Sequence, residues 1–269
     1  MPEPRRVAAA GLDLAYRELG AGRPTLVLHG GGPGCAAWTD FAPVAEALAP
    51  GRRLIFLDLP QFGESPVPVI GEPVFGYHAG QVLAVLDRLG LAEVDLLCQS
   101  FGGSVALRLA ALAPNRVGRI VATGSAPTPP DGGVTGPAIR DAYYGGDGPS
   151  EAKMAELIGA HEFHDRARVP AETVRARYRA SVRPEYLAVA TDTAARGAPE
   201  DLAGLLPRVD RPVLLLWGAG DPFAGPSYAL GLTRLLPRAD LHVLARTSHH
   251  PQQERPRAYA AAVRAFLDR

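Results

Sequence analysis

Short apolar runs alternate along this chain with stretches whose apolar residues recur every three or four positions. The runs are Thr25 to Leu28, Leu54 to Leu57, Val94 to Leu97, Arg119 to Ala122 and Val213 to Leu216. Such segments fit strands covered on both faces, and parallel strands are covered in this way because their crossover connections lay helices on the sheet. Tyr77 to Leu89 and Phe101 to Ala113 have the spacing of crossover helices. Two strands at about Val7 to Ala10 and Leu12 to Leu19 precede the pattern and read as antiparallel. The expected fold is therefore α/β, a mostly parallel central sheet with helices on both faces.

The rhythm stops after Ser125, where Pro127, Pro129, Pro130, Gly132, Gly133, Gly136 and Pro137 make a linker that continues neither helix nor strand. From about Asp141 to Leu206 the pattern is helices only, with Ser150 as an N-cap and Pro170 in the first turn of another helix. Strand character resumes at Val213. Residues 1–126 and 207–269 are thus expected to form the core, and 127–206 a linker and helical lid over the C-terminal ends of the strands. A chain of 269 residues is long enough for one such domain.

Charge narrows the partners. Lys and Arg number 28 and so do Asp and Glu, so no basic field draws nucleic acid or anionic lipid, and a small-molecule substrate is expected instead. The N-terminus lacks the apolar core of a signal peptide and no apolar run reaches bilayer length, which places the expected site of action in the cytoplasm. Cys35 and Cys98 sit in turn segments and are expected as free thiols.

Chemistry concentrates at three turns. Cys98-Gln99-Ser100-Phe101-Gly102-Gly103 follows a strand and opens a helix, the setting of a G-x-S-x-G nucleophile turn with Cys98 at the first glycine position. A plain helix N-cap is the other reading of Ser100. A serine needs a base oriented by a third group, and the order serine, acid, histidine leads to Asp221 in Trp217-Gly218-Ala219-Gly220-Asp221-Pro222 and His249 in Thr247-Ser248-His249-His250-Pro251. Asp221 also reads as an Asp-Pro turn former, and His250 is the local rival of His249. The early loop Leu28-His29-Gly30-Gly31-Gly32-Pro33-Gly34 is placed to offer a backbone N–H from Gly31 or Gly32 beside that of Phe101, an oxyanion hole. It lacks the Gly-Lys-Ser/Thr of a phosphate loop. His78 and His242 read as structural, and so does His29 taken alone. His161 and His164 are one residue too close for the zincin spacing, so that segment reads as a solvated helix end and neither a metal nor a cofactor is expected.

Across nearly its whole length the chain resembles the α/β-hydrolases, on His29 to Gly34, the Asp58 to Ser65 turn, Ser100, Trp217-Gly218-x-x-Asp221 and His249-x-Pro251-x-x-Glu254-x-Pro256. Three glycines before Pro33-Gly34 resemble the meta-cleavage product hydrolases, which cleave a carbon–carbon bond in dienoates from aromatic ring fission. That resemblance implies a substrate-binding arginine at Arg177, with a solvated helix charge as the other reading, and a homodimer. Gln99, His29, His250 and Trp217 complete the substrate-binding residues expected from it. Gln99 and His250 stand where that family usually has Asn and Trp, which bears on the substrate rather than on the triad. The alternatives are a carboxylesterase or lactonase with the same triad, or a lyase, cyclase or small-molecule binder on the same fold.

Overall fold

The computed structural model describes residues 1–192 and 194–269. In chain order its elements are β1 (Arg5–Ala9), β2 (Leu12–Leu19), β3 (Arg23–Leu28), α1 (Ala37–Leu48), β4 (Arg52–Leu57), β5 (Ile70–Pro73), α2 (Val74–Arg88), β6 (Val94–Gln99), α3 (Phe101–Leu112), β7 (Val117–Thr123), α4 (Gly136–Tyr144), α5 (Glu151–His161), α6 (Ala171–Ser181), α7 (Pro184–Ala190), β8 (Arg196–Ala198), β9 (Val213–Gly218), α8 (Pro226–Leu235), β10 (Ala239–Leu244), α9 (Pro251–Glu254) and α10 (Pro256–Leu267). Eight strands form one sheet in the order β1-β2-β4-β3-β6-β7-β9-β10. β1 and β2 enter antiparallel, and every pairing from β4 to β10 is parallel.

Alternation along each parallel strand divides the core in two. Leu26, Leu28, Leu96, Ile120 and Leu215 point to the face covered by α2, α3 and α8, where Val82, Val85, Leu109 and Leu232 meet them. Val27, Leu97, Val121, Leu214 and Leu216 point the other way, onto Phe41, Val44, Tyr259, Val263 and Phe266 of α1 and α10. This two-sided burial is why the strands read as continuous apolar runs.

Between β7 and β9 lie α4 to α7, whose residues Ile139, Tyr143, Met154, Ile158 and Val174 form a separate small core. Ser150 caps α5 as expected, its hydroxyl accepting from Lys153 N–H at 3.1 Å. Pro170 is the residue just before α6 rather than part of its first turn. Two expectations are corrected. The linker already contains the start of α4, because Pro137 suits a first helical turn and Thr135 accepts from Ala138 N–H at 3.3 Å. Nor is the insertion helical throughout: β8 pairs in parallel with β5, which lies in the core segment, to make a second, two-stranded sheet. Among the described residues no helix is long and apolar enough to cross a membrane.

Candidate active site

β6 ends at Gln99 and α3 begins at Phe101, so Ser100 alone turns the chain from strand to helix. It does so at φ 48° and ψ −114°, a conformation L-residues avoid and surrounding structure must hold. The absence of side chains nearby makes this feasible. A Cβ at Gly102 would lie 2.7 Å from the carbonyl oxygens of Leu28 and His29, and one at Gly103 would lie 1.9 Å from Ser125 Oγ. Cys98 occupies the first glycine position, fully buried between Leu28 and Ala122 of the adjoining strands, and burial pushes its thiol well above its ordinary pKa. The turn therefore tolerates Cys98 with an inert, neutral thiol. Although Ser100 opens α3, its side chain caps none of that helix's N–H groups, which removes the N-cap reading. Ser100 instead lines a cavity of about 320 Å³ at the C-terminal end of the sheet.

His249 lines the same cavity from the loop after β10. Its Nδ1–H donates to Asp221 Oδ2 at 2.7 Å, while Asp221 Oδ1 accepts from the N–H of Phe223 at 2.9 Å. Asp221 is thus a turn former through one oxygen and a histidine orienter through the other. Burial disfavours the imidazolium of His249, but Asp221 outweighs it and raises the pKa above the ordinary 6.5. Phe223 packs on the His249 ring, with centroids 4.3 Å apart. Gly124, at φ 53°, leaves room for the pair: a Cβ there would be 3.0 Å from both Asp221 Oδ2 and His249 Cε1. His250 has no acid bonded at Nδ1, where it accepts from Gln253 Nε2 at 3.1 Å, and burial lowers its pKa to about 3. His250 lines the cavity as a neutral group.

The glycine loop closes over Phe101, for a Cβ on Gly31 would sit 3.0 Å from that of Phe101. Phe101 is the first residue of α3, where backbone N–H groups have no intrahelical acceptor. Among the described residues, the Gly31 and Gly32 N–H groups make no hydrogen bond, whereas Gly30 N–H is held by Asp40 Oδ2 at 2.8 Å. Gly31, Gly32 and Phe101 all line the cavity.

Other expected substrate-binding residues are placed elsewhere. His29 is fully buried, with Nδ1–H donating to Gly30 O at 2.7 Å and Nε2 accepting from Leu59 N–H at 3.0 Å, and burial lowers its pKa to about 4. Trp217 is buried with Nε1–H on Ala224 O at 2.7 Å, bracing the turn that carries Asp221. Gln99 donates to His249 O at 2.8 Å and accepts from Gln252 Nε2 at 3.0 Å, which fixes the histidine loop. None of the three lines the cavity, and each makes its hydrogen bonds within the protein.

Arg177 lies behind the glycine loop, with its Nη2 unpartnered among the described residues and 2.8 Å from where a Cβ on Gly32 would sit. It is 0% exposed, so the solvated-charge reading fails, and it is not among the residues that line the cavity. Its Nη1 donates to Glu162 Oε2 and its Nε to Pro33 O at 3.0 Å. Glu162, 4% exposed, does line the cavity, and although burial alone would raise its pKa, Arg177 holds it below the ordinary value. The stretch His161 to His164 is accordingly not a solvated helix end. Glu254 Oε2 accepts from His164 N–H at 2.7 Å and Oε1 from Ser248 N–H, tying that stretch to the His249 loop. Sequence reasoning missed Glu162, Gly124 and Phe223, since each owes its place to a partner distant in sequence.

Comparison with known proteins agrees with this architecture. Residues 24–256 match the family described as alpha/beta hydrolase fold. The chain is 34% identical over 271 aligned residues to a 2-hydroxymuconate semialdehyde hydrolase of Pseudomonas sp. strain CF600, covering 98% of this chain and 93% of that one. It is 30% identical to a 2-hydroxy-6-oxo-2,4-heptadienoate hydrolase of Pseudomonas putida, covering 98% and 95%. Among solved structures it resembles a meta-cleavage product hydrolase from Pseudomonas fluorescens IP01, with a TM-score of 0.87, 27% identity and coverage of 98% and 97%. The chain belongs to the α/β-hydrolase fold family and, within it, to the meta-cleavage product hydrolases.

Proposed function

We propose that the protein hydrolyses the carbon–carbon bond next to the ketone of a dienoate formed by aromatic ring fission. The observation that carries the reading is the hydroxyl of Ser100, held on a strained turn over the cavity that it shares with the Asp221-bonded His249. Full-length similarity to dienoate hydrolases narrows the bond to carbon–carbon.

In this reading the enol form of the substrate first ketonises, placing a proton on the carbon that will leave. His249 Nε2 then takes a proton from Ser100 or from a water that Ser100 orients, and the oxygen adds to the ketone carbon. Phe101 and Gly31 or Gly32 donate N–H groups to the resulting oxyanion, a type of contact typically worth about 10²–10³ in turnover per donor. Collapse breaks the carbon–carbon bond, and its electron pair is delocalised into the conjugated acid and protonated from His249. Water supplies the oxygen of the carboxylic acid released. Asp221 keeps Nδ1 protonated throughout, so that Nε2 is the basic atom. The insertion between β7 and β9 acts as the lid, since Val134, Ile139, Arg140 and Glu162 from it wall the cavity.

Loss of the dienoate chromophore tests the reading. Wild type is expected to bleach it, and Ser100→Ala to do so at least about a thousand-fold more slowly. Hydrolysis of aryl esters with an untouched dienoate would replace the reading with an esterase.

A further inference from the structure

The Gly31 and Gly32 N–H groups serve an oxyanion only if the loop that carries them is held in place. Its anchors lie on both sides of the pair. Upstream, His29 O accepts from Gly102 N–H at 3.0 Å, which joins the loop to the helix that Phe101 opens, and Gly30 N–H donates to Asp40 Oδ2 at 2.8 Å. Downstream, Gly32 O accepts from Cys35 N–H at 3.2 Å and Pro33 O from Arg177 Nε at 3.0 Å. Of the two side chains among these anchors, Asp40 holds the residue directly before Gly31.

The helix α1 places Asp40 for this task. The residue lies in the first helical turn, where a carboxylate ordinarily interacts with the helix's own free N–H groups. Here Ala37 N–H is taken by Asp58 Oδ1 at 2.9 Å, and Asp40 reaches across to Gly30 instead. Phe41, Val44 and Leu48 of the same helix are packed in the core, which fixes the base of the side chain. Asp40 is fully buried, and its Oδ1 has no hydrogen-bond partner among the described residues. Burial raises its pKa to about 7, although the Arg177 charge opposes the shift. A buried acid with one oxygen unpaired costs stability. The one hydrogen bond its carboxyl makes among the described residues goes to the loop beside the oxyanion donors.

We propose that Asp40 is a positioning residue of the oxyanion hole: by accepting from Gly30 N–H it sets the peptide groups that follow, so that Gly31 or Gly32 N–H converges with Phe101 N–H on one oxygen. It acts through the loop, since Asp40 is not among the residues that line the cavity. The inference rests on the Ser100 nucleophile of the proposed reaction, not on which bond is broken. What position 40 must supply is an acceptor, so Asn keeps the role while Ala or Leu does not. A donor misplaced by about 1 Å costs on the order of a hundred-fold.

Two ketones of similar shape separate this role from support of the fold. Trifluoroacetophenone adds the Ser100 oxygen to its carbonyl carbon, the hydroxyl proton passing to His249 and the carbonyl electron pair to the oxyanion. Acetophenone binds without adding. Calorimetry gives the ratio of the two affinities, and within each protein that ratio is its own control for folding. Wild type is expected to prefer the trifluoro ketone by at least about a hundred-fold, and Ser100→Ala to lose the preference. Asp40→Ala is expected to reduce the preference at least about ten-fold with the acetophenone affinity unchanged, and Asp40→Asn to keep it within about three-fold. Asp40→Leu, which fills the site without an acceptor, makes the same test if the alanine variant does not fold. The proposal is overturned if wild type shows no preference, if Asp40→Ala or Asp40→Leu keeps it, or if Asp40→Asn loses as much as they do. Failure of dienoate turnover with these ratios as expected would count against the carbon–carbon reading alone.

Discussion

Arg177 and Glu162 show how a residue's role depends on what it touches rather than on what it is. Both are buried and pair through Arg177 Nη1, which leaves Arg177 Nη2 without a hydrogen-bond partner among the described residues, and His250 Nε2 lies 3.5 Å from Glu162 Oε2. Replacing Arg177 by Gln leaves a buried carboxylate without its cation, which typically costs about 3–5 kcal/mol. Thermal unfolding of Arg177→Gln should therefore fall by roughly 10 °C, and Arg177→Gln combined with Glu162→Gln should recover much of the loss. Equal destabilisation of single and double variants would refute this pairing. His249 allows a second residue-level prediction. Its pKa is raised above 6.5 and the base works unprotonated, so kcat/KM should rise with pH through a value above 6.5. Asp221→Asn removes the group that raises it and leaves burial, so the acid limb should move to lower pH while turnover drops by about 10⁴. The linked stability has the opposite pH dependence: it is fully present below the unfolded pKa and is lost as pH rises through the folded one. An acid limb unmoved in Asp221→Asn would separate His249 from the titration.

The elements were legible to different degrees, for physical reasons. β3, β4, β6, β7 and β9 are buried on both faces, so burial wrote an apolar run into each. β5, with sequence Ile-Gly-Glu-Pro, and β8, with Arg-Gly-Ala, carry no period, and only their pairing with one another makes them strands. The Ser100 turn was legible because strand, small residues and helix meet within one motif, and Asp221 and His249 because they follow strands in the expected order. Glu162 was not legible as a cavity residue, since its place depends on Arg177, its partner across the fold. The packing of α3 on β3 gives the prediction at this scale. Gly102→Ala would drive a methyl group against Leu28 and His29 backbone, so it should both destabilise the protein by about 1–3 kcal/mol and depress turnover. A fully active, equally stable Gly102→Ala would show that the turn is looser than its geometry implies.

The whole molecule joins a rigid sheet to an insertion with its own small core, and the cavity lies where they meet. The sheet supplies Ser100, Asp221 and His249 at the ends of β6, β9 and β10, and the insertion supplies Arg140 and Glu162. Glu254 spans the two, accepting from Ser248 of the histidine loop and His164 of the insertion. In the proposed reaction this assembly adds water across a carbon–carbon bond through Ser100. The most direct measurement is turnover of a ring-fission dienoate in heavy-oxygen water by wild type and Ser100→Ala, with mass analysis of both products. One labelled oxygen in the carboxylic acid released, none in the dienoate fragment and almost no product from Ser100→Ala is the expected result. Products that form without label, or label incorporated equally well by Ser100→Ala, would contradict it.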